Sequence, residues 1–265
     1  MAEAKRPPNL IGCRAKIDWA QRHFNTLERY IADFFARHKY TISVEPGGEG
    51  HRYLARLIDA PTIPAIEWAL LIGDCVHNLR SALDYIAWEL AGADPADGKT
   101  MFPIYLTRDG YRANFKKRIR RLPREAQTLI EQLQPYNTPD PPRSTAWTLQ
   151  ALDVADKHKL LTVVAAIPES GNIIWVLPGA AAVPKFTVSA LSDIPLEPNA
   201  VLAEIVVPPA TPKMDMKAEV TPAVAFGESL GWGRRTSVLI VLRQLIDDAE
   251  RVRREFKGRF NMSDE

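Results

Sequence analysis

The stretch GDCVHNLRSALDYIAWEL, residues 73–90, combines a run of core-type side chains with Asp74, His77, Asn78, Arg80, Ser81 and Asp84. At about 100° per residue it reads as a helix with two unlike faces. Val76, Leu79, Leu83, Ile86 and Leu90 share one face; Asp74, His77, Ser81 and Asp84 share the other, with Arg80 at its margin. The apolar face needs helices to cover it, so the stretch points to a bundle. The polar face is a solvated side or a site. Leu70 and Trp88 project into the same arc, which predicts that parts of it touch protein. His, Asn, Ser and Asp are also poorer helix formers than the Lys and Glu that usually fill a solvated face.

Working outward, Ile17, Ala20, Phe24, Leu27, Ile31 and Phe34 predict an amphipathic helix over 11–38. YTISVE and HRYLARLI flank the turn PGGEG and read as a β-hairpin. Pro61 and Pro64 precede the long helix, 65–91, which Gly92, Asp94 and Pro95 stop. After MFPIYL come a basic helical stretch from Arg108 to Arg121 and a helix over 124–134. The proline-rich connector NTPDPPR leads into TAWTLQALDVADKHKLLTVVAAI. There Leu149, Leu152, Leu160 and Val163 share a face with Asp156 at its centre. Short runs between Pro, Gly and Asn over 167–227 predict a small antiparallel sheet, and a last helix spans 236–258. The expectation is one α+β domain, 1–265: an up-down helical bundle of about four long helices (11–38, 65–165 and 236–258), an early hairpin, and a β-rich insertion before the last helix.

The 265 residues carry 34 basic and 32 acidic side chains, a net charge of +2, so no global field draws the chain to nucleic acid or an anionic membrane. Any such partner needs a local patch. Cys13 and Cys75 have no metal or redox spacing and fit a reducing compartment. MAEAKRPPN lacks a signal-type apolar run, and no segment approaches the ~20 apolar residues of a membrane span. A cytoplasmic location without a membrane partner is expected. The heptad-like stripes and the tryptophans allow a homodimer.

An unpaired interior carboxylate is prohibitive. Asp156 is therefore expected to meet Arg80, His77 or Asn78 across a helix–helix contact, while His158 joins them only if the helix end unwinds. The ordered segments GDCVHNLRSALD, MFPIY, IEQLQPY and DKH, within residues 65–165, resemble an uncharacterised bacterial protein family with a GD-x-x-HNLRSALD helix, an FPI segment, an LQPY segment and a DKH helix. No established reaction comes with that family. Its pattern matches Gly73, Asp74, His77, Asn78, Arg80, Ser81, Asp84, Asp156, Lys157 and His158. A more distant similarity is to HEPN-type helical proteins, many of which cleave or bind RNA. This chain departs from their Arg-then-His signature, since His77 and Arg80 stand in the reverse order.

Two functions follow. In one, the protein binds RNA or a nucleotide and carries RNase-like hydrolysis, with His77, Arg80, Asp84 and Asp156 as the catalytic residues. Imidazole titrates near neutrality, a carboxylate can orient it, and Arg can hold phosphate. Asp74, Asn78, Ser81, Lys157 and His158 would bind beside them. Lys116, Lys117, Arg120 and Arg121 belong to eight basic residues between Arg108 and Arg124 that can track a phosphate backbone, as can Arg251 to Arg259. In the other function, the network only fixes helix packing in a non-catalytic assembly module. Asp74 and His77 form one metal-type pair where carboxylate bundles use two, so neither metal nor other cofactor is expected. GESLGWGRRTS, 227–237, reads as a turn before the last helix or an anion cradle without the P-loop lysine.

Overall fold

The computed structural model describes residues 7–48, 51–92, 98–166, 173–176, 187–190, 196–207, 217–220, 222–227 and 236–264. The fold is α+β. Its first helix, α1 (Ile11–Arg37), buries Cys13, Ile17, Ala20, Phe24, Leu27 and Ile31, the stripe that the spacing predicts. Asn9 Oδ1 accepts from Ile11 N to start it, and His38 stacks on Phe34 at its end. A hairpin of β1 (Thr41–Pro46) and β2 (Arg52–Asp59) leads to the long helix α2 (Ala65–Leu90).

Three further helices follow: α3 (Arg108–Ile119), α4 (Arg124–Gln132) and α5 (Thr145–His158). Short side chains start two of them, with Thr107 accepting from Gly110 N and Ser144 from Trp147 N. The strands β3 (Val163–Ala166), β4 (Ile173–Val176), β5 (Thr187–Ala190), β6 (Val201–Val206), β7 (Lys217–Val220) and β8 (Ala223–Phe226) precede α6 (Val238–Phe260).

Helix α2 is the central element. It packs against α1, α5 and α6, and all four helices contribute to one apolar core. Trp68, Ile72, Val76, Leu79 and Ile86 of α2 meet there with Phe24, Leu152, Leu242 and Phe256. The α6 helix closes the bundle and ends at Asn261, which takes the left-handed conformation. Just beyond it, Asp264 accepts from Arg253 and Lys257, while Leu10 N donates to Ser263 O. Both ends of the described chain are thereby held at one end of the bundle.

The early hairpin and the inserted strands join in one sheet, a pairing that the sequence reading leaves open: β2 pairs with β6, giving an antiparallel sheet ordered β1-β2-β6-β5. Leu57, Ala165, Leu196 and Leu202 form a small core beneath it. One sequence expectation is corrected: the DKH helix stops at His158, because Lys159 turns extended, and Val163 belongs to β3. Leu160, placed on the helical stripe by its spacing, is 48% exposed. No helix among the described residues is long and apolar enough to cross a membrane. Residues 228–235, most of the glycine-rich turn, lie outside the described residues.

Candidate functional site

The polar residues of α2 divide into two groups that face different neighbours. Arg80, although cationic, is only 6% exposed. Its Nε donates to Gln150 Oε1 of α5 at 3.0 Å, one terminal nitrogen donates to Asp84 Oδ1 at 2.7 Å, and the other to the Phe102 carbonyl at 2.7 Å. Asp84 Oδ1 also accepts from Phe102 N at 2.8 Å. One ion pair therefore satisfies both backbone groups of Phe102 in the extended segment before α3. Burial raises the Asp84 carboxyl above its ordinary value, against the Arg80 charge and the Phe102 N–H, which lower it.

Gln134 does the same work from the other side of that segment. It is 1% exposed; its amide nitrogen donates to Pro103 O and Ile130 O, and its oxygen accepts from Tyr105 N. An extended strand without a sheet partner leaves its backbone groups open, and burying them unpaired costs about 1–3 kcal/mol each. The FPI and LQPY segments and the Arg80–Asp84 pair are thus parts of one clamp.

The second group gathers on α2 and α5 around His77, whose side chain is 56% exposed. Its Nδ1 lies 3.4 Å from Oδ1 of Asp153, which is 3% exposed at the side chain, and Lys157 Nζ donates to the other Asp153 oxygen at 2.6 Å. Asp153 was not among the sequence candidates. The available signal was local: it follows Leu152, stands four residues after Leu149 and precedes Lys157 by four. The incorrect extension of the helix to Leu160 and Val163 moved the apparent centre of the buried stripe to Asp156.

Asp156 is half-buried on the same side of α5, against α2. Its carboxylate rests on Gly73, where an added Cβ would lie 2.5 Å from Oδ1 and 2.6 Å from Oδ2. Only a residue without a side chain admits this approach. Desolvation raises the Asp156 carboxyl first, then the charges of Asp153 and Asp74, with His77 acting in the opposite sense. The expected pairing of Arg80 with Asp156 does not form, because Arg80 is taken by Asp84, Gln150 and Phe102.

The remaining candidates scatter. Asp74 is exposed beside the cluster. Asn78 turns toward α1, accepting from Lys16 at 3.0 Å and donating to the Asp74 carbonyl, so it is no partner of Asp156. Ser81 lines a cavity of roughly 330 Å³ with Asp84, Tyr85, Trp88 and Thr100. His158 is exposed at the helix end, and Leu70, expected to meet protein, is 54% exposed. Lys117, Arg120 and Arg121 are exposed on or just after α3; Lys116 belongs to that helix, with its side chain outside those described.

The second basic cluster is largely neutralised by acidic neighbours. Arg251 pairs with Asp248 and Glu255, Arg253 with Glu250 and Asp264, Arg254 with Glu250, Lys257 with Asp264, and Arg259 with Glu255. Among the described residues no group of three or more His, Cys, Asp or Glu side chains is placed to hold a metal ion. No family model matches the chain, and no curated protein or solved structure matches it.

Proposed function

We propose that the protein binds RNA or a nucleotide and that His77 moves a proton on that ligand, giving an RNase-like hydrolytic capacity. The observation that carries this reading is the solvent-facing imidazole with the buried Asp153 carboxylate behind its Nδ1. A carboxylate at Nδ1 favours the tautomer whose Nε2 is basic and turned outward. Nε2 can then take the proton of a water or a ribose 2′-hydroxyl as its oxygen bonds to phosphorus. The departing oxygen takes a proton from Asp156, whose raised proton affinity suits that role, or from solvent.

Arg80 has no place in this chemistry. Its donors are directed to protein acceptors, so phosphate contact is assigned instead to Lys117, Arg120 and Arg121. Lys117 and Arg120 have no ion-pair partner among the described residues, unlike Arg251, Arg253, Arg254 and Arg259 of α6. A reducing, cytoplasmic setting is part of the same proposal and fits two cysteines that are both buried and free.

The test uses the full chain with labelled single-stranded RNA. Binding should weaken steeply between low and moderate salt, and again on Lys117→Glu with Arg120→Glu. Cleavage of that RNA should be lost in His77→Ala and fall in Asp153→Asn, and no cleavage by the wild-type chain removes the hydrolytic part of the proposal. Salt-insensitive or absent binding removes the RNA reading.

The satisfied clamp favours a second reading, a non-catalytic assembly module in which Arg80, Asp84 and Gln134 only lock the segment before α3. Its signature would be an intact clamp, stability loss on its disruption, and no ligand-dependent role for His77.

A further inference from the structure

The cavity bounded by Ser81, Asp84, Tyr85, Trp88 and Thr100 is built mainly from the same helix, α2, that carries His77, and has the features of a small ligand site. These α2 residues continue the arc that begins at Asp74 and His77. Tyr85 lies eight residues beyond His77, an axial offset of about 12 Å at the helical rise. Two aromatic rings and a carboxylate converge there. Asp84 spends Oδ1 on Arg80 and Phe102, while Oδ2 has no hydrogen-bond partner among the described residues. The Ser81 hydroxyl, the Tyr85 hydroxyl and the Trp88 indole N–H likewise bond to none of the described residues.

The Tyr85 ring is 39% exposed and supported on one side by α1. It lies against Gly12, where a Cβ would come within 2.5 Å of the ring edge. The volume is near the lower bound of about 300 Å³ for small-molecule sites, which suits one ring system rather than a length of strand.

We infer that this cavity is a nucleobase subsite, in which a planar nitrogen heterocycle stacks on Trp88 and Tyr85 and donates an N–H to Asp84 Oδ2. Aromatic walls accept any base, whereas the carboxylate oxygen selects for a donor on the base edge. The subsite deepens the RNA or nucleotide reading and rests on it for its biological role. A base held here lies along the same helical arc as the outward Nε2 of His77, with Ser81 between them.

Nucleosides test the subsite alone, since they carry no phosphate. Binding of adenosine, inosine and purine riboside to the full chain is measured by calorimetry and by quenching of tryptophan fluorescence. Purine riboside has the shape of adenosine without its amino donor. It should bind about tenfold more weakly, the loss expected for one charge-assisted hydrogen bond. Inosine, with its N1–H donor, should stay close to adenosine. Trp88→Leu and Ser81→Leu, which remove a stacking wall and fill the cavity, should each weaken adenosine at least tenfold while the melting temperature stays near wild type. Asp84→Asn is a secondary variant because Asp84 also holds the clamp.

Equal binding of adenosine and purine riboside overturns the subsite, as does adenosine binding that survives both cavity variants, or no nucleoside binding at all. Salt-dependent RNA retardation, measured in parallel, reports separately on the broader proposal. Retained retardation with no nucleoside selectivity rejects the subsite alone; lost retardation with selective nucleoside binding rejects the strand-binding role and keeps the subsite.

Discussion

At the scale of residues, Arg80 and His77 lie three positions apart on one helix and differ in almost every physical respect. Arg80 is buried with acceptors at three of its donors, so Arg80→Ala strands Asp84 and the Phe102 carbonyl. Breaking a buried charged pair costs on the order of 3 kcal/mol, and thermal unfolding should show it as a large fall in melting temperature. His77→Ala removes an exposed ring and should stay within about 0.5 kcal/mol of wild type. Similar losses in both variants would contradict this division. Asp156 supplies a pH signature. Folding raises its proton affinity, so its contribution to stability is present when it is protonated and is lost as pH rises through its folded pKa. Asp156→Asn should therefore melt above wild type at neutral pH, and the gap should close as the buffer falls below about pH 4, the ordinary aspartate range. A gap independent of pH would count against the assigned cause.

Among the elements, the contact between α2 and α5 rests on Gly73 as much as on any charge. Alanine is favoured over glycine inside a helix by about 1 kcal/mol, yet a Cβ at residue 73 collides with the Asp156 carboxylate. Gly73→Ala should be neutral or destabilising in the wild-type background and stabilising by about 1 kcal/mol in Asp156→Ala. A double-mutant cycle in denaturant measures the coupling, and additive effects would mean that the two helices are not held this closely. The two faces of α2 were legible in the sequence because they recur over many turns. The carboxylate that answers His77 was not. LDVADK offers Asp153 and Asp156 three residues apart, and choosing between them depends on where the helix ends, which is set by the extended turn at Lys159. The Arg80 partner was hidden for another reason: backbone groups of an extended segment such as FPI leave no side-chain pattern to read.

Across the whole molecule, the α+β class and the return of the last helix to the bundle were readable from periodicity. The sheet order was not, because β2 and β6 are distant in the chain and their pairing depends on tertiary packing. Phe256 joins the layers. It is fully buried, edge-on to Phe102 of the clamped segment and stacked on Phe260. Phe256→Ala should cost about 3–5 kcal/mol, seen as a lower denaturation midpoint with the clamp residues unchanged. A loss below 1 kcal/mol would mean that α6 closes the bundle less tightly than its burial indicates. That closing role also bears on synthesis. During translation, α1 and α2 emerge with the faces that α6 covers still open, and those faces stay open while every intervening strand is made. The nascent chain thus spends most of its production as an unfinished bundle with adhesive helices, and its safe folding depends on what shields them until Phe256 leaves the ribosome.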